Sequence, residues 1–257
     1  MKLLEVENIT KKFPGVLALK NVNMSFERGK VHCILGENGA GKSTLVKIIS
    51  GVFTPENGNI YINEDNMLDK RYLFDKVSYV PQEISLFNHM TVAENILLPF
   101  DKIENDSFFI NQKKINTQVL PLLDTMNINL APEKEVNEIS VTERQLIQVA
   151  RALSREDYEV IIFDEPTTSL DEKGKKSLFK IIERLKDKGN AIIYITHKVE
   201  ELFLIGDEVT VLREGKEVGH SDISAIDQDW MIKKMSGKSI DDKVNYRPRG
   251  PFPKKIL

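Results

Sequence analysis

Apolar and polar positions alternate through Val22, Met24 and Phe26, the period-two pattern of a strand with one buried face. Leu3 to Ile9 reads as a strand before it. The turn Glu27-Arg28-Gly29-Lys30 leads into an apolar run, Val31 to Leu35, which predicts a fully buried strand. Past a glycine-rich loop the period changes: Leu45, Ile48 and Ile49 share one helical face, and Gly51 is placed to stop that helix. Ile60 to Ile62 and Val77 to Val80 predict short strands. The stretch from about 84 to 155 lacks clear β-branched runs and reads as mainly helical, with Pro121 and Pro132 as breaks. Two helix starts in it are marked by capping boxes, Thr91-Val92-Ala93-Glu94 and Ser140-Val141-Thr142-Glu143. Strand and helix then alternate again. Val160 to Phe163 and Ala191 to Ile195 are buried strands. Between them Leu178, Ile181, Ile182 and Leu185 form a helix face that ends at Gly189. Val209 to Leu212 and Lys216 to Val218 flank Arg213-Glu214-Gly215, a hairpin signal.

Continuous apolar strands separated by helices predict a parallel sheet covered on both faces, with 84–155 as a helical insertion. The length of 257 residues allows one large domain or two small ones. A net charge of -3 creates no strong field for nucleic acid and argues against it as the main partner. The single Cys33 lies in the apolar run before the glycine loop and reads as a buried core thiol. One cysteine forms no internal disulfide, which points to a reducing, cytoplasmic compartment. No apolar run approaches the roughly 20 residues that span a bilayer, and the start MKLLEVENITKKF has no signal-peptide core. A membrane role would therefore come through a partner.

The glycine loop carries the chemistry. Gly36-Glu37-Asn38-Gly39-Ala40-Gly41-Lys42-Ser43 matches G-x-x-x-x-G-K-S/T, and Thr44 follows. Glycines let successive N–H groups converge on one anion, and the helix starting near Lys42 adds its positive end. Lys42 is expected to reach the β- and γ-phosphates, and Ser43 to ligate Mg²⁺. A plain glycine turn is the alternative; the buried strand before it and the amphipathic helix after it favour phosphate. Val160 to Phe163 runs into Asp164-Glu165, and ligands of open parallel sheets sit at the carboxyl ends of strands. Asp164 is placed to hold Mg²⁺ through water, and Glu165 to orient or deprotonate an attacking water. The next buried strand ends in Thr196-His197; a lone histidine is usually structural, but its position at a neighbouring strand end favours contact with the γ-phosphate. Gln82 follows a third strand end. Spacing alone leaves open whether its amide oxygen meets Mg²⁺ or the water.

In this order, these pieces resemble an ABC-type ATPase. Gly36–Thr44 looks like its Walker A, Gln82 its Q-loop, Asp164-Glu165-Pro166 its Walker B, Thr168-Ser169-Leu170-Asp171 its D-loop and His197 its H-loop. Taken alone, Phe13 reads as core; the resemblance makes it the aromatic that stacks on adenine. "FPGVLALKNVNMSF", "LGENGAGKSTLVKIISGVFTPENGNI", "TVAENILL" and "VTVLREGKEVG" are similar to ATP-binding subunits of ribose/galactose-type sugar importers. The likeness covers about residues 2 to 240 and is more specific for an ABC ATPase than for sugar. It implies a P-loop NTPase fold: a mostly parallel sheet core, an antiparallel β subdomain and an inserted helical subdomain at about 84–155. It also implies ATP and Mg²⁺, the latter held by Ser43, Gln82 and Asp164. The implied partners are a second ABC domain, transmembrane permease subunits and, indirectly, a periplasmic sugar-binding protein, with the chain on the inner face of the cell membrane. Such subunits usually carry two ABC domains. The tail 241–257, rich in Pro, Arg and Lys, is like an interdomain linker, and the chain is expected to be the N-terminal half of a tandem protein.

One departure stands out. The ABC signature is usually Leu-Ser-Gly-Gly-Gln; here it reads Ile139-Ser140-Val141-Thr142-Glu143. Ser140 keeps its role as a contact for nucleotide on the opposite domain. Val141 and Thr142 carry Cβ atoms where glycines let backbone approach phosphate, and Glu143 adds negative charge. The expected consequence is asymmetry, with slow hydrolysis at the partner's loop and normal hydrolysis at this chain's own loop. Soluble ABC ATPases of the DNA-repair or translation-factor kind, a nucleotide-binding module without hydrolysis, and a transporter ATPase for another cargo are the competing readings.

Overall fold

The structure is a computed structural model that describes residues 1–99, 111–155 and 157–236; the tail expected to be a linker, and part of the helical insertion, lie outside these. The strands run β1 (Lys2–Phe13), β2 (Val16–Glu27), β3 (Val31–Leu35), β4 (Asn57–Ile62), β5 (Asp65–Asn66), β6 (Val77–Val80), β7 (Val160–Asp164), β8 (Ala191–Thr196), β9 (Glu208–Arg213) and β10 (Lys216–Asp222). The helices are α1 (Lys42–Ile49), α2 (Val92–Leu97), α3 (Gln112–Thr125), α4 (Val141–Leu153), α5 (Glu172–Asp187), α6 (Val199–Ile205) and α7 (Gln228–Ser236).

Among the described residues the strands form two sheets, one ordered β2-β1-β4-β5 and one ordered β10-β9-β3-β8-β7-β6. The first is antiparallel, and β2 turns Val22, Met24 and Phe26 inward by alternation and Leu19 inward across a break in the register between Leu19 and Val22. In the second, β9, β3, β8, β7 and β6 are parallel, and β10 returns beside β9 through Glu214 and Gly215, both at positive φ. Two consecutive positive-φ residues make the hairpin turn whose twist matches the strands.

Each strand of the parallel sheet is buried on both faces. Cys33, Leu35, Ile161, Phe163, Ile192 and Tyr194 pack with the apolar sides of α2, α3, α4 and α5. Ile34, Ile162, Ile193 and Ile195 point the other way, onto α1 and the antiparallel sheet. The second face is thus closed by one helix and a sheet rather than by helices alone.

Both predicted capping boxes are formed. Thr91 Oγ1 accepts from Glu94 N while Glu94 returns a carboxylate oxygen to Thr91 N, and Ser140 and Glu143 do the same. Pro132 sits in a turn as expected, but Pro121 is a correction: it lies inside α3. The helix continues because Ile115, Val119 and Leu123 bury one face, while Pro121 is exposed and forfeits only its own N–H bond.

Glu159, before β7, ties the sheets together through Lys76, Arg28 and Asn63. Burial pushes its pKa up, and the bonds from Lys76, Arg28 and Asn63 outweigh that, leaving it at about 2 against an ordinary 4.5. A carboxylate depressed by folding adds stability above its unfolded pKa, and that stability fades as pH falls toward the folded pKa. The Tm gap between the parent chain and Glu159→Gln should therefore be full near neutrality and shrink from pH 4.5 toward pH 2. A gap independent of pH would contradict this ion cluster.

Candidate functional site

The register of the parallel ladder sets the site. Leu35 pairs with Thr196, Asp164 with Ile195 and Val80 with Phe163, so β3, β8, β7 and β6 end side by side. Gly36, His197, Glu165 and Gln82 lie just past those ends. Ligands collect at this edge of such sheets because the strand-to-helix loops there are free to receive them.

The loop between β3 and α1 curls tightly. A Cβ on Gly36 would stand 2.4 Å from the Leu212 carbonyl oxygen, so only glycine passes there. Gly39 has φ +83° with open space around it. The Gly215 N–H donates to the Ala40 carbonyl at 3.1 Å, bracing the loop from the β9–β10 hairpin. Gly41 is the N-cap of α1, and no side chain caps that end; α2, α3, α4 and α5 are capped by Thr91, Asn111, Ser140 and Asp171. The first N–H groups of a helix have no partner within it. Here Lys42, Ser43 and Thr44 line a cleft of about 610 Å³. Asn38, Gly39, Ala40, Gly41, Gln82, Glu165 and Phe13 line it too, and Glu37 lines an adjoining hollow with Asn38, Gly39 and Ala40.

Lys42 is buried, and its ammonium donates to the carbonyls of Gly36 at 2.7 Å and Glu37 at 3.1 Å. Burial lowers its pKa, against the pull of Glu165 and Asp164. Burial raises the pKa of Asp164, and the Tyr79 hydroxyl, donating at 3.1 Å, counters it. Glu165 adopts φ +47°, strained for a residue with a Cβ, and its N–H is pinned to the Ile195 carbonyl at 3.0 Å. Its Oε2 accepts from Gln82 Nε2 at 3.3 Å and lies 3.1 Å from His197 Nδ1. Three strand ends thus meet at one carboxylate.

Phe13, at the end of β1, is part-exposed on the cleft wall, edge-on to Phe53 at 5.5 Å between ring centres. It is therefore a wall residue rather than core. The structure does not bring Ser140 to this cleft. It caps α4, and its hydroxyl and N–H both donate to Glu143 at 2.7 Å, so a carboxylate already occupies that helix end. Val141 beside it is exposed.

The oxygens of Ser43, Gln82 and Asp164 are a hard donor set that fits Mg²⁺, and an uncapped helix end beside a buried ammonium fits a polyphosphate. Sequence reasoning missed Glu214 and the β2 residues Val16, Leu17 and Ala18, which line the cleft, and Tyr79, whose hydroxyl donates to Asp164. The YVPQ run placed Tyr79 three residues before Gln82, but a strand tyrosine carries no signal for which carboxylate it will reach.

Gly36→Ala should cost about 3 kcal/mol or more, since a backbone oxygen must move. Gly39→Ala should cost about 1 kcal/mol, the left-handed strain alone. Urea unfolding of the two variants checks the order, and equal losses would contradict the loop geometry.

Comparison with known proteins follows the same lines. The profile described as "ABC transporter" matches residues 19–168. The chain is 39% identical to an arabinose import ATP-binding protein of Mannheimia succiniciproducens over 250 residues, 96% of this chain and 49% of that protein. It is 40% identical to a ribose import ATP-binding protein of Clostridium perfringens, over 95% of this chain and 49% of that one. The chain thus spans about half the length of the curated relatives it matches. Among solved structures, a nucleotide-free ATP-binding cassette from an ABC transporter superposes with a TM-score of 0.76 at 23% identity, over 93% of this chain and 96% of that one. A dimeric cassette in a post-hydrolysis state, bound to ADP and Pi, gives 0.74 at 25% identity, over 86% and 99%.

Proposed function

The chain belongs to the ABC transporter family, and from that premise we propose that it binds Mg-ATP in the cleft beside Lys42 and hydrolyses it to power import of a sugar. The observation that carries this reading is the meeting of Gln82 and His197 on Glu165, across the cleft from an uncapped helix end and a buried lysine. The base, Gln82 and the anion cradle line one cleft, and His197 reaches it through its contact with the base.

The mechanism follows from these groups. Phe13 packs on adenine, and the amides of residues 39–44 take the phosphates. Lys42 exchanges two loop carbonyls for phosphate oxygens, a charge-assisted replacement. Ser43, Gln82 and Asp164 would hold Mg²⁺, which when bound draws charge from the phosphate oxygens. Glu165 orients the attacking water and takes its proton, and His197 and Lys42 face the charge that develops on the transferring group.

Several features support the wider setting. The relatives named above are import ATP-binding proteins for arabinose and ribose, which favours a sugar cargo. A dimeric relative and the half-length match favour a second ABC domain that closes this cleft. If covalently joined, that partner would be present at about millimolar effective concentration. Residues 1–240 then act as one nucleotide-binding domain with a helical part at about 84–155. No helix among the described residues is long and apolar enough to cross a membrane, so contact with the membrane would run through a permease. The segment after Gln82, where Phe87 is exposed, is the proposed contact with a permease on the cytoplasmic face. A periplasmic sugar-binding protein would act only through that permease. Glu143, closing the end of α4, supports slow hydrolysis at the partner's loop.

Calorimetry should give one Mg-ATP site in the parent chain and none in Lys42→Ala. Glu165→Gln should bind Mg-ATP normally, with phosphate release reduced by about 10²–10⁴. Unchanged binding in Lys42→Ala would refute the site, and unchanged turnover in Glu165→Gln would refute the base.

A further inference from the structure

Glu201 is a carboxylate that the mechanism above does not use, yet it is 5% exposed. Burying a charge costs free energy unless partners compensate it. Here the partners come from three segments. Oε1 accepts from Thr167 Oγ1 at 2.6 Å and lies 3.4 Å from Lys198 Nζ. Oε2 accepts from Tyr194 at 2.8 Å and from Thr196 Oγ1 at 3.2 Å. Thr167 stands two residues past Glu165, and Thr196 immediately precedes His197. Lys198, on the other side of His197, donates its N–H to Thr196 Oγ1 at 3.0 Å and its ammonium to Thr167 Oγ1 at 3.2 Å. His197 itself is half exposed. Glu165 has strained backbone that persists only where its surroundings over-determine it.

We propose that Glu201 is a positioning residue: by bridging Thr167 to Thr196 it holds the β7 and β8 loops together and keeps Glu165 and His197 in their 3.1 Å contact. The inference rests on the roles given to those two residues above. The bridge is a two-sided clamp, so cutting either end should have the same effect. Glu201→Gln keeps the shape and removes the charge. Thr167→Val keeps the volume and removes the hydroxyl that reaches Oε1.

The test uses the full chain. Both variants should lower kcat about tenfold or more while KM for ATP stays within about twofold, the signature of misplaced catalytic groups rather than lost binding. The double variant should be no worse than the poorer single variant, because the two residues act as one link. In the nucleotide-free chain, the ring resonances of His197 should shift in both variants. Unchanged kcat overturns the proposal, as does a fall in activity that only tracks the loss of folded protein. Should Glu201→Gln fail to fold, Thr167→Val carries the test. If the parent chain neither binds nor hydrolyses ATP, the functional reading falls by itself. The His197 resonances then still decide: movement in the variants supports the clamp, and unmoved resonances overturn it.

Discussion

Asp164 pairs with Ile195 and Leu35 with Thr196, and from this register comes the layout of the cleft. In a strand, neighbouring side chains face opposite ways, so a slip of one residue would turn every one of them over. Phe163 would then leave the helical layer, and Asp164 would be driven into apolar core. Because both faces of β3, β7 and β8 are apolar, that slip is opposed by the close-packed fit of their side chains in each layer. Hydrophobic burial thereby fixes, to within a residue, where the loop, the carboxylates and the histidine emerge.

At that edge the structure holds charges that burial disfavours. Lys42 and Asp164 are both moved toward their neutral forms by desolvation, and each is opposed by a nearby partner. Lys42 meanwhile satisfies itself on the loop's own carbonyls, and Glu165 is held by Gln82 and His197. The Lys42 contacts are ones that a triphosphate can replace with stronger, charge-assisted ones. A buried, partly compensated site of this kind is prepared for an anion before it arrives, which reduces the reorganisation left to binding. The Glu201 network extends the same logic one layer outward.

Much of this was legible in the residues. Periodicity located the buried strands, the glycine spacing located the loop, and the capping boxes located α2 and α4, because each is a local rule with a local cause. Pro121 misled because its helix-breaking cost is local while the packing of Ile115, Val119 and Leu123 that overrides it is tertiary. The second face of the parallel sheet was closed by a sheet because the strands that do so come from another part of the chain. Phe13 reads as core only in isolation, because a terminal strand residue has no pattern to say what it borders; the resemblance put it at the nucleotide, and it lines the cleft. Tyr79 and Glu201 were invisible as site residues, since their partners lie far along the chain or across a loop, and no spacing rule relates them.

The central claim is that converging amides at the start of α1, beside a single buried ammonium, form the seat of a triphosphate. Backbone amide resonances followed during a Mg-ATP titration test it residue by residue. The largest shifts should fall on Gly39, Gly41, Lys42, Ser43 and Thr44, with those of Val141 to Glu143 nearly still in the isolated chain. Still resonances in the loop, or shifts concentrated at the start of α4, would contradict the account.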